Sequence, residues 1–495
     1  MAAACLVAGG LPALAMPDQN SMDLRAKLEQ LDLQLSEGVG PGVSTTALIE
    51  ASGLSLALIP AETADRLPRN DWLALSTDLV EVQRFNIRLS LTMLAQAYGA
   101  EDNADILAAQ QDPAQDALVI HSGNVRLADL RQILQETGMQ RPAMDGPLEL
   151  KVPLVIWSGA SLQLGPGDVL HLSRPDGAYV VNFGHLQVQG ATIAVAGGDN
   201  ATSPQFVPFV TTADGGTVQV RGAHFIGLGF GKTQKFSGFS VMGSHMRTTR
   251  PGSWIDSSTF EDIKAVSISS GVDIVVSGNH FRNMRGSAIV ASRSPGTRIV
   301  ANLFSGDLPA NAIILEEGST GGQIAGNIVL GGQRTGIVVR NSSTGARVSN
   351  NIVWSRDGGG ITLLKSDCGE LFDNLVIDNG QKGIEVRTSP GARVYGNAVV
   401  NNHSAGIWIS AQPKGALTEL RDNVLEGNGS GLSSGVGENI LLDGNDFSHQ
   451  FPQFLSGDLA PQSVLIARNM LGQEPIVLSA AGRVEAVPEA PVCSN

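Results

Sequence analysis

The second half of the chain alternates apolar and polar positions in a phrase that recurs about every two dozen residues. Each copy holds a short strand beginning Gly-Ile or Ala-Ile, a turn, a second short strand, and an asparagine followed by an apolar residue. These asparagines are Asn279, Asn302, Asn327, Asn351, Asn374, Asn397, Asn423, Asn445 and Asn469, spaced 22 to 26 residues apart. Such a period, with strands and no helical pattern, predicts a solenoid, here a right-handed parallel β-helix. We expect all nine asparagines to stack on one corner, because a turn asparagine tolerates left-handed backbone angles and its amide can bond the next coil.

Aligning the first strand of each copy predicts which side chains face outward. The segment 336–340 aligns with 360–364 and 383–387, and side chains alternate across a strand, so the Ile-x-Val positions face the interior. The outward columns are Val290, Ile314, Val338, Thr362, Glu385 and Trp408, followed by Ser292, Glu316, Arg340, Leu364, Arg387 and Ser410. The turn just past them holds Arg293, Glu317, Asn341, Lys365 and Thr388.

The first 145 residues lack this repeat and are mixed and partly helical. Apolar residues with helical spacing predict helices over 22–35, 71–98 and 124–138. We therefore divide the chain into a signal peptide (1–15), a mixed N-terminal cap region (16–145), the β-helix (146–475) and a C-terminal tail (476–495). An exposed coil end is an unpaired sheet edge, so we expect the helical prefix to cover it.

Composition supports an all-β solenoid and an exported protein. The 59 glycines and 5% aromatic residues fit many tight turns and few bulky core side chains, and the net charge of −14 argues against a nucleic-acid partner. Residues 1–15 are apolar and end in Ala13-Leu14-Ala15, which is typical of a signal-peptidase site, so we expect a periplasmic or secreted protein without a membrane span. Of the cysteines left, Cys368 is mid-repeat and Cys493 is in the tail, so we expect no disulfide between them.

Five segments of the chain, 117–130, 153–162, 228–238, 254–263 (WIDSSTFEDI) and 275–279, contain phrases typical of one protein family. They resemble the periplasmic mannuronan C-5 epimerases of alginate biosynthesis, and the resemblance runs from about 115 to about 430. It implies a periplasmic β-helix whose groove holds an acidic polysaccharide. It also implies conversion of mannuronate to guluronate, in which a base removes the C-5 proton and a cation neutralises the neighbouring carboxylate.

The sequence departs from that family at the catalytic motif. The family's Asp-Pro-His-Asp motif falls on Val290-Ala291-Ser292-Arg293, and its arginine from the next coil falls on Glu317. A serine without a nearby base cannot take a carbon-bound proton at useful rates. The resemblance therefore implies the fold and the groove, while the standard base is missing and whether the chain is an enzyme stays open.

The candidate substrate-binding residues are the cations Arg293, Arg340, Lys365 and Arg387, which lie in or just past the outward columns of four coils. Residues 282–393 contain 12 Lys and Arg against 9 Asp and Glu, an excess of +3 that suits a polyanion. Other candidates are His245 as a relocated base, Tyr179 and Tyr395 as acids, and Trp408 as a surface for sugar stacking. The spacing of carboxylates, histidines and cysteines indicates no metal site, and we expect no cofactor.

Three hypotheses follow. The first is an exported protein that binds an acidic exopolysaccharide and works beside exopolysaccharide export proteins. The second is an active polyuronate epimerase or lyase with a relocated site, and the third is a structural or adhesive β-helix. A row of like-positioned cations favours the first two over the third, and a general base within reach of that row favours the second over the first.

Overall fold

A computed structural model describes residues 18–36, 45–54, 72–98, 103–110, 115–243, 252–479 and residue 493. The chain winds as a right-handed parallel β-helix, and its coils contribute strands to three sheets of 15, 14 and 12 strands. In each sheet a strand pairs in parallel with the strand of the next coil, so the predicted fold is confirmed. None of the helices in the described ranges is long and apolar enough to cross a membrane.

Sheet 1 contains the Gly-Ile strands recognised in the sequence. Its strands are Glu81–Asn86, Asp116–Ser122, Leu154–Ile156, Val180–Asn182, Val210–Ala213, Gly238–Met242, Ala265–Ser269, Ile289–Ser292, Ile313–Glu316, Ile337–Arg340, Ile361–Leu364, Ile384–Arg387, Ala405–Ser410, Ser430–Gly435 and Leu455–Gly457. Glu81–Asn86 pairs antiparallel with Asp116–Ser122 and closes the first edge of the sheet. Asp116–Ser122 already pairs in parallel with the next coil, so parallel pairing begins before the expected boundary at residue 146.

Sheets 2 and 3 complete each coil. Sheet 2 contains Asn124–Arg126, Ser161–Leu164, His185–Gln189, Thr217–Arg221, Trp254–Asp256, Val275–Ser277, Arg298–Val300, Gln323–Ala325, Arg347–Ser349, Glu370–Phe372, Arg393–Tyr395, Leu417–Arg421, Asn439–Asp443 and an antiparallel last strand, Ile476–Ser479. Sheet 3 contains Leu148–Leu150, Val169–Ser173, Thr192–Ala196, His224–Ile226, Thr259–Glu261, His280–Arg282, Leu303–Ser305, Ile328–Leu330, Ile352–Trp354, Leu375–Ile377, Ala398–Val400 and Val424–Glu426.

The interior is one continuous apolar column. Branched aliphatic side chains from the three sheets fill it, as the Ile-x-Val pattern predicts. Phenylalanines of sheet 3 stack along the axis, with ring centroids 5.1 Å apart between Phe260 and Phe281 and 4.9 Å apart between Phe281 and Phe304. Each coil buries its apolar face only against its neighbours, so the column depends on every coil being in register.

Eight of the nine predicted asparagines form the expected ladder. From Asn279 to Asn445, each side-chain amide donates to the Oδ1 atom of the next asparagine at 2.8 to 3.0 Å. The prediction is wrong for Asn469, which ends the Ser463–Arg468 helix and bonds the backbone of Glu474 at a half-buried position. The coil has ended there, so the residue has no partner coil to bond.

Two further polar ladders flank sheet 1, and the sequence analysis missed both. On the side where sheet 3 leads into sheet 1, amides bond from Asn379 to Asn402, Asn428 and Gln450. On the side that leads to sheet 2, backbone N–H groups donate to side chains of the next coil, as from Ser366 to Ser389. The first of these ladders had a signal, because its members follow the recognised asparagines by five residues. Together they hold the turns on both sides of sheet 1 in register.

The helices within the described ranges are Asp18–Ser36, Thr45–Ala51, Ile87–Tyr98, Asn103–Ala108, Leu127–Glu136 and Ser463–Arg468, with single 3₁₀ turns at Gln234–Phe236 and Ala460–Gln462. The helices predicted over 22–35 and 124–138 are present. The one predicted over 71–98 is wrong for its first half, where Glu81–Asn86 is a strand. Of the prefix helices, only Leu127–Glu136 joins the interior column and covers its N-terminal end, through Leu130 and Leu134.

The other described parts of the prefix lie on the outer faces of the coils and not over their open end. Leu28 and Leu31 of the first helix pack on Leu303 and Ile328 of sheet 3, and Ile87–Tyr98 packs on the first coils of sheet 1. The segment around Trp72 lies on sheet 2, where its ring centroid is 4.7 Å from that of Trp254. These outward positions are apolar, so the described prefix helices bury apolar surface against them.

The expectation of unpaired cysteines is wrong. Cys368 and Cys493 form a disulfide, with Cα atoms 5.7 Å apart and 125 residues of chain between them. Cys368 is in the turn between sheets 1 and 2. Cys493 therefore lies beside a coil that is far from it in the sequence, and linear distance along the sequence was no guide to this contact.

Candidate functional site

The outer face of sheet 1 is covered in its first coils and open in its later ones. Over the first coils, Leu91 and Ile106 of the prefix pack against outward residues such as Val119 and Val155. The Gln234–Phe236 turn covers the following coils, where the carbonyl of Lys235 accepts a hydrogen bond from Ser240. From Ile289–Ser292 onward, none of the described helices packs on this face. We call this later part of sheet 1, with the turns beside it, the groove.

The outward columns predicted from the sequence are in register. In the first column, each residue pairs with the one in the next coil, in the order Val290, Ile314, Val338, Thr362, Glu385 and Trp408. In the second column, Ser292 pairs with Glu316, and Arg340, Leu364, Arg387 and Ser410 follow one another. Charged side chains are therefore carried at fixed spacing, because neighbouring strands are about 4.8 Å apart.

The turn beside the second column repeats one backbone conformation. Arg293, Glu317, Asn341, Lys365 and Thr388 all have left-handed φ angles between 49° and 55°. The backbone N–H groups of four of them bond the next coil, as from Lys365 to the Arg387 carbonyl at 2.9 Å. This shared conformation projects the five side chains from equivalent points along one wall of the groove.

The first half of the groove comprises the coils of strands Ile289–Ser292 to Ile337–Arg340, and the second half comprises the coils that follow. In the first half, each candidate cation has a carboxylate partner. Arg293 donates to Glu317 at 2.8 Å and also to Ser269, and Arg340 donates to Glu316 at 2.7 Å. Ser292, which the sequence comparison aligns with the family's histidine, is fully buried and donates to Glu317 at 2.8 Å. The two positions at which the resemblance predicts the base and the cation are therefore in contact, and they hold a serine and a carboxylate.

In the second half, the remaining two cations have no such partner. Lys365 and Arg387 are exposed, and neither makes an ion pair with a described residue. Three residues of this region, Lys382, Glu385 and Trp408, were not recognised as a unit from the sequence. Lys382 donates to Glu385 at 2.7 Å, and its Nζ atom is 4.7 Å from the ring centroid of Trp408. Only the fold reveals this contact, because it joins adjacent coils.

The other candidate residues lie elsewhere. Tyr179 is fully buried beneath the prefix and stacks on Phe209, so it cannot reach the groove as an acid. Tyr395 is on sheet 2, where burial and then Glu370 raise the pKa of its hydroxyl. His245 lies outside the described residues.

His280 is also distant from the groove floor. His280 is on sheet 3, where burial lowers the pKa of its imidazole to about 4 and its Nε2 atom is 2.8 Å from Ser305 Oγ. Across the described ranges, no three His, Cys, Asp or Glu side chains are grouped so as to hold a metal ion.

These features define a class: a parallel β-helix protein with a charged lateral groove. Residues 309–454 match the family described as periplasmic copper-binding protein (NosD). The chain is 30% identical over 295 residues to the mannuronan C5-epimerase AlgG of Azotobacter vinelandii, which confirms the resemblance seen in the sequence. That match covers 56% of this chain and 56% of the relative, so it spans little more than half of either protein.

Solved structures show the same fold. The crystal structure of the periplasmic alginate epimerase AlgG superposes with a TM-score of 0.54 at 17% identity, covering 77% of this chain and 85% of that one. A mutant of the same epimerase gives 0.53 at 18% identity, with 75% and 83% covered. The chain is thus similar in sequence and in fold to alginate epimerases.

Proposed function

We propose that this chain is an exported β-helix protein that binds an acidic exopolysaccharide in the groove and lacks the standard epimerase base. The observation that carries the proposal is the recurrence of a cation at the groove in four of five consecutive coils, as Arg293, Arg340, Lys365 and Arg387. A polyuronate carries one carboxylate per sugar, so a row of cations at a regular spacing matches its charge pattern. The similarity to a mannuronan epimerase supports a polymer of this class.

Binding without epimerisation follows from the residues at the catalytic position. Removal of a carbon-bound proton needs a base of suitable pKa within hydrogen-bonding reach of that proton. Ser292 is buried and already bonded to Glu317, and Arg293 neutralises that carboxylate. We infer that the first half of the groove positions polymer and does not turn it over.

Two observations support an exported location. The disulfide between Cys368 and Cys493 is typical of an oxidising compartment, and the AlgG structure that shares this fold is periplasmic. An exported protein with this groove would meet the polymer during or after its export, beside the proteins that export it.

The test is a titration of the full chain with mannuronate oligomers of defined length, at low and at physiological salt. Exposed cations are screened over about 8 Å at physiological ionic strength, so affinity should fall as salt rises. A variant with all four cations changed to Gln should lose measurable binding. A four-cation variant that binds as tightly as the wild type, or a wild type that fails to bind at low salt, would leave only the structural hypothesis.

A further inference from the structure

We propose that the groove has one anchor subsite, built by Lys365, Arg387 and Trp408, that holds a single uronate unit of the polymer. The inference rests on the proposed function and adds where along the groove recognition is concentrated. With such an anchor, Lys365 and Arg387 contribute most of the attraction for the polymer, and Arg293 and Arg340 contribute little.

The different roles of the two halves of the groove follow from their charges. A polymer carboxylate approaching Arg293 or Arg340 must compete with Glu317 or Glu316, which already accept hydrogen bonds from these guanidinium groups. Glu316 is also largely buried between its neighbours and cannot swing away into solvent. The first half of the groove is therefore close to neutral, and it contributes shape more than attraction.

Lys365 and Arg387 differ from Arg293 and Arg340 in exposure and in pairing. Their side chains are exposed, and among the described residues no carboxylate pairs with either. They come from adjacent coils, and the backbone N–H of Lys365 bonds the carbonyl of Arg387 at 2.9 Å. Adjacent strands are about 4.8 Å apart, so both cations can donate to one carboxylate between them.

Trp408 lies where the ring of the same sugar unit would rest. Its strand neighbour Ser410 is in register with Arg387, so Trp408 and Arg387 project from the same face of adjacent coils. From the coil below, Lys382 holds the indole by a cation–π contact, and Glu385 neutralises that lysine.

The coil above leaves room beside the indole. Trp408 is in register with Ser433, and Ser410 with Gly435, so both positions have small residues. A Cβ atom at Gly435 would be 3.8 Å from Cζ2 of Trp408, so the ring leans over a position without a side chain. A half-buried aromatic ring with cations at one side suits a sugar that carries a carboxylate.

Three double variants with the same change in net charge test the anchor. Lys365→Gln with Arg387→Gln removes the anchor cations, and Arg293→Gln with Arg340→Gln removes the paired ones. Arg347→Gln with Arg393→Gln is the matched control, because these exposed arginines are on sheet 2 and both pair with Glu370. For mannuronate oligomers at low salt, the anchor variant should weaken binding on the order of tenfold. The other two should change it by less than about threefold.

The tryptophan is tested separately. Trp408→Ala should weaken binding about three- to tenfold, whereas Trp408→Phe, which keeps an aromatic face, should retain most of it. The tryptophan fluorescence change on adding oligomer should be present in the wild type and absent in Trp408→Phe. Thermal unfolding of each variant shows that the fold is intact, and neutral mannose oligomers of equal length should not bind.

The outcomes separate the two proposals. If wild-type protein does not bind mannuronate oligomers at low salt, the proposed function fails and the anchor with it. If it binds, but the Arg293 and Arg340 double variant loses as much affinity as the anchor variant, the anchor alone is refuted. A fluorescence change that persists in Trp408→Phe refutes the anchor in the same way, whereas equal binding of neutral oligomers refutes the proposed function together with the anchor.

Discussion

Truncation of one ladder asparagine, Asn374→Ala, tests the physical basis of the fold. Asn374 is fully buried in the middle of the asparagine ladder. Its Nδ2 atom donates to Asn397 Oδ1 and to the Val348 carbonyl, both at 2.9 Å. Its Oδ1 atom accepts from the backbone and side-chain nitrogens of Asn351, at 3.1 and 2.9 Å. The substitution therefore removes four buried hydrogen bonds at once.

The cost depends on which partners are left unsatisfied. The side chain of Asn351 keeps its bonds to the Ile324 and Ser349 carbonyls, and Asn397 Oδ1 still accepts from the backbone of Asn374. The backbone N–H of Asn351 keeps no acceptor among the described residues, which costs about 1–3 kcal/mol. With the three other bonds lost, the total destabilisation should be about 3–5 kcal/mol.

Asn469→Ala is the matched control, because Asn469 fits the same sequence spacing but is only half-buried, and its side chain bonds only the backbone of Glu474. That substitution should cost less than about 1 kcal/mol. Urea unfolding followed by circular dichroism gives the midpoints, and hydrogen exchange with mass spectrometry reports the amide of Asn351. Equal midpoints and equal exchange for the two variants would refute the assignment of ladder energy to these hydrogen bonds.

Three further predictions concern catalysis, pH and the disulfide. Incubation with polymannuronate should give no guluronate signal by proton NMR, because the resemblance predicts the base at the position of Ser292. Guluronate signals that rise with protein dose would contradict this prediction, and His245→Ala would then be the first variant to test. Burial lowers the pKa of His280 to about 4 in the folded state, below the 6.5 of the unfolded chain. The unfolded chain therefore takes up that proton first, and stability should fall between pH 6.5 and 4 by up to about 3 kcal/mol in wild type but not in His280→Gln, as urea midpoints would show. Non-reducing peptide mapping should recover Cys368 joined to Cys493, and Cys493→Ser should lower the free energy of unfolding by about 2–4 kcal/mol; free thiols in the native protein would contradict the pairing.

The sequence alone determined the coil, its register and the outward columns. These are local and periodic properties: an inward Ile-x-Val pair and a turn asparagine recur at each coil, and every copy supports the same alignment. For that reason the columns from Val290 to Trp408 were predicted residue by residue and are confirmed by the sheet pairing. The ladder prediction failed for Asn469 because the spacing of asparagines continues in the sequence after the last coil has ended.

Contacts between coils, whether adjacent or distant, were determined only by the tertiary structure. The sequence placed four cations on the groove, but whether each is neutralised depends on a carboxylate one coil away, as for Arg293 and Glu317. The prefix helices cover the flanks of the coils because apolar outward residues such as Leu303 and Ile328 attract them, and no local pattern specifies that docking. The disulfide of Cys368 likewise joins positions 125 residues apart. Periodicity fixes the relation of each residue to its own coil, whereas partners that the repeat does not encode are set by packing in three dimensions.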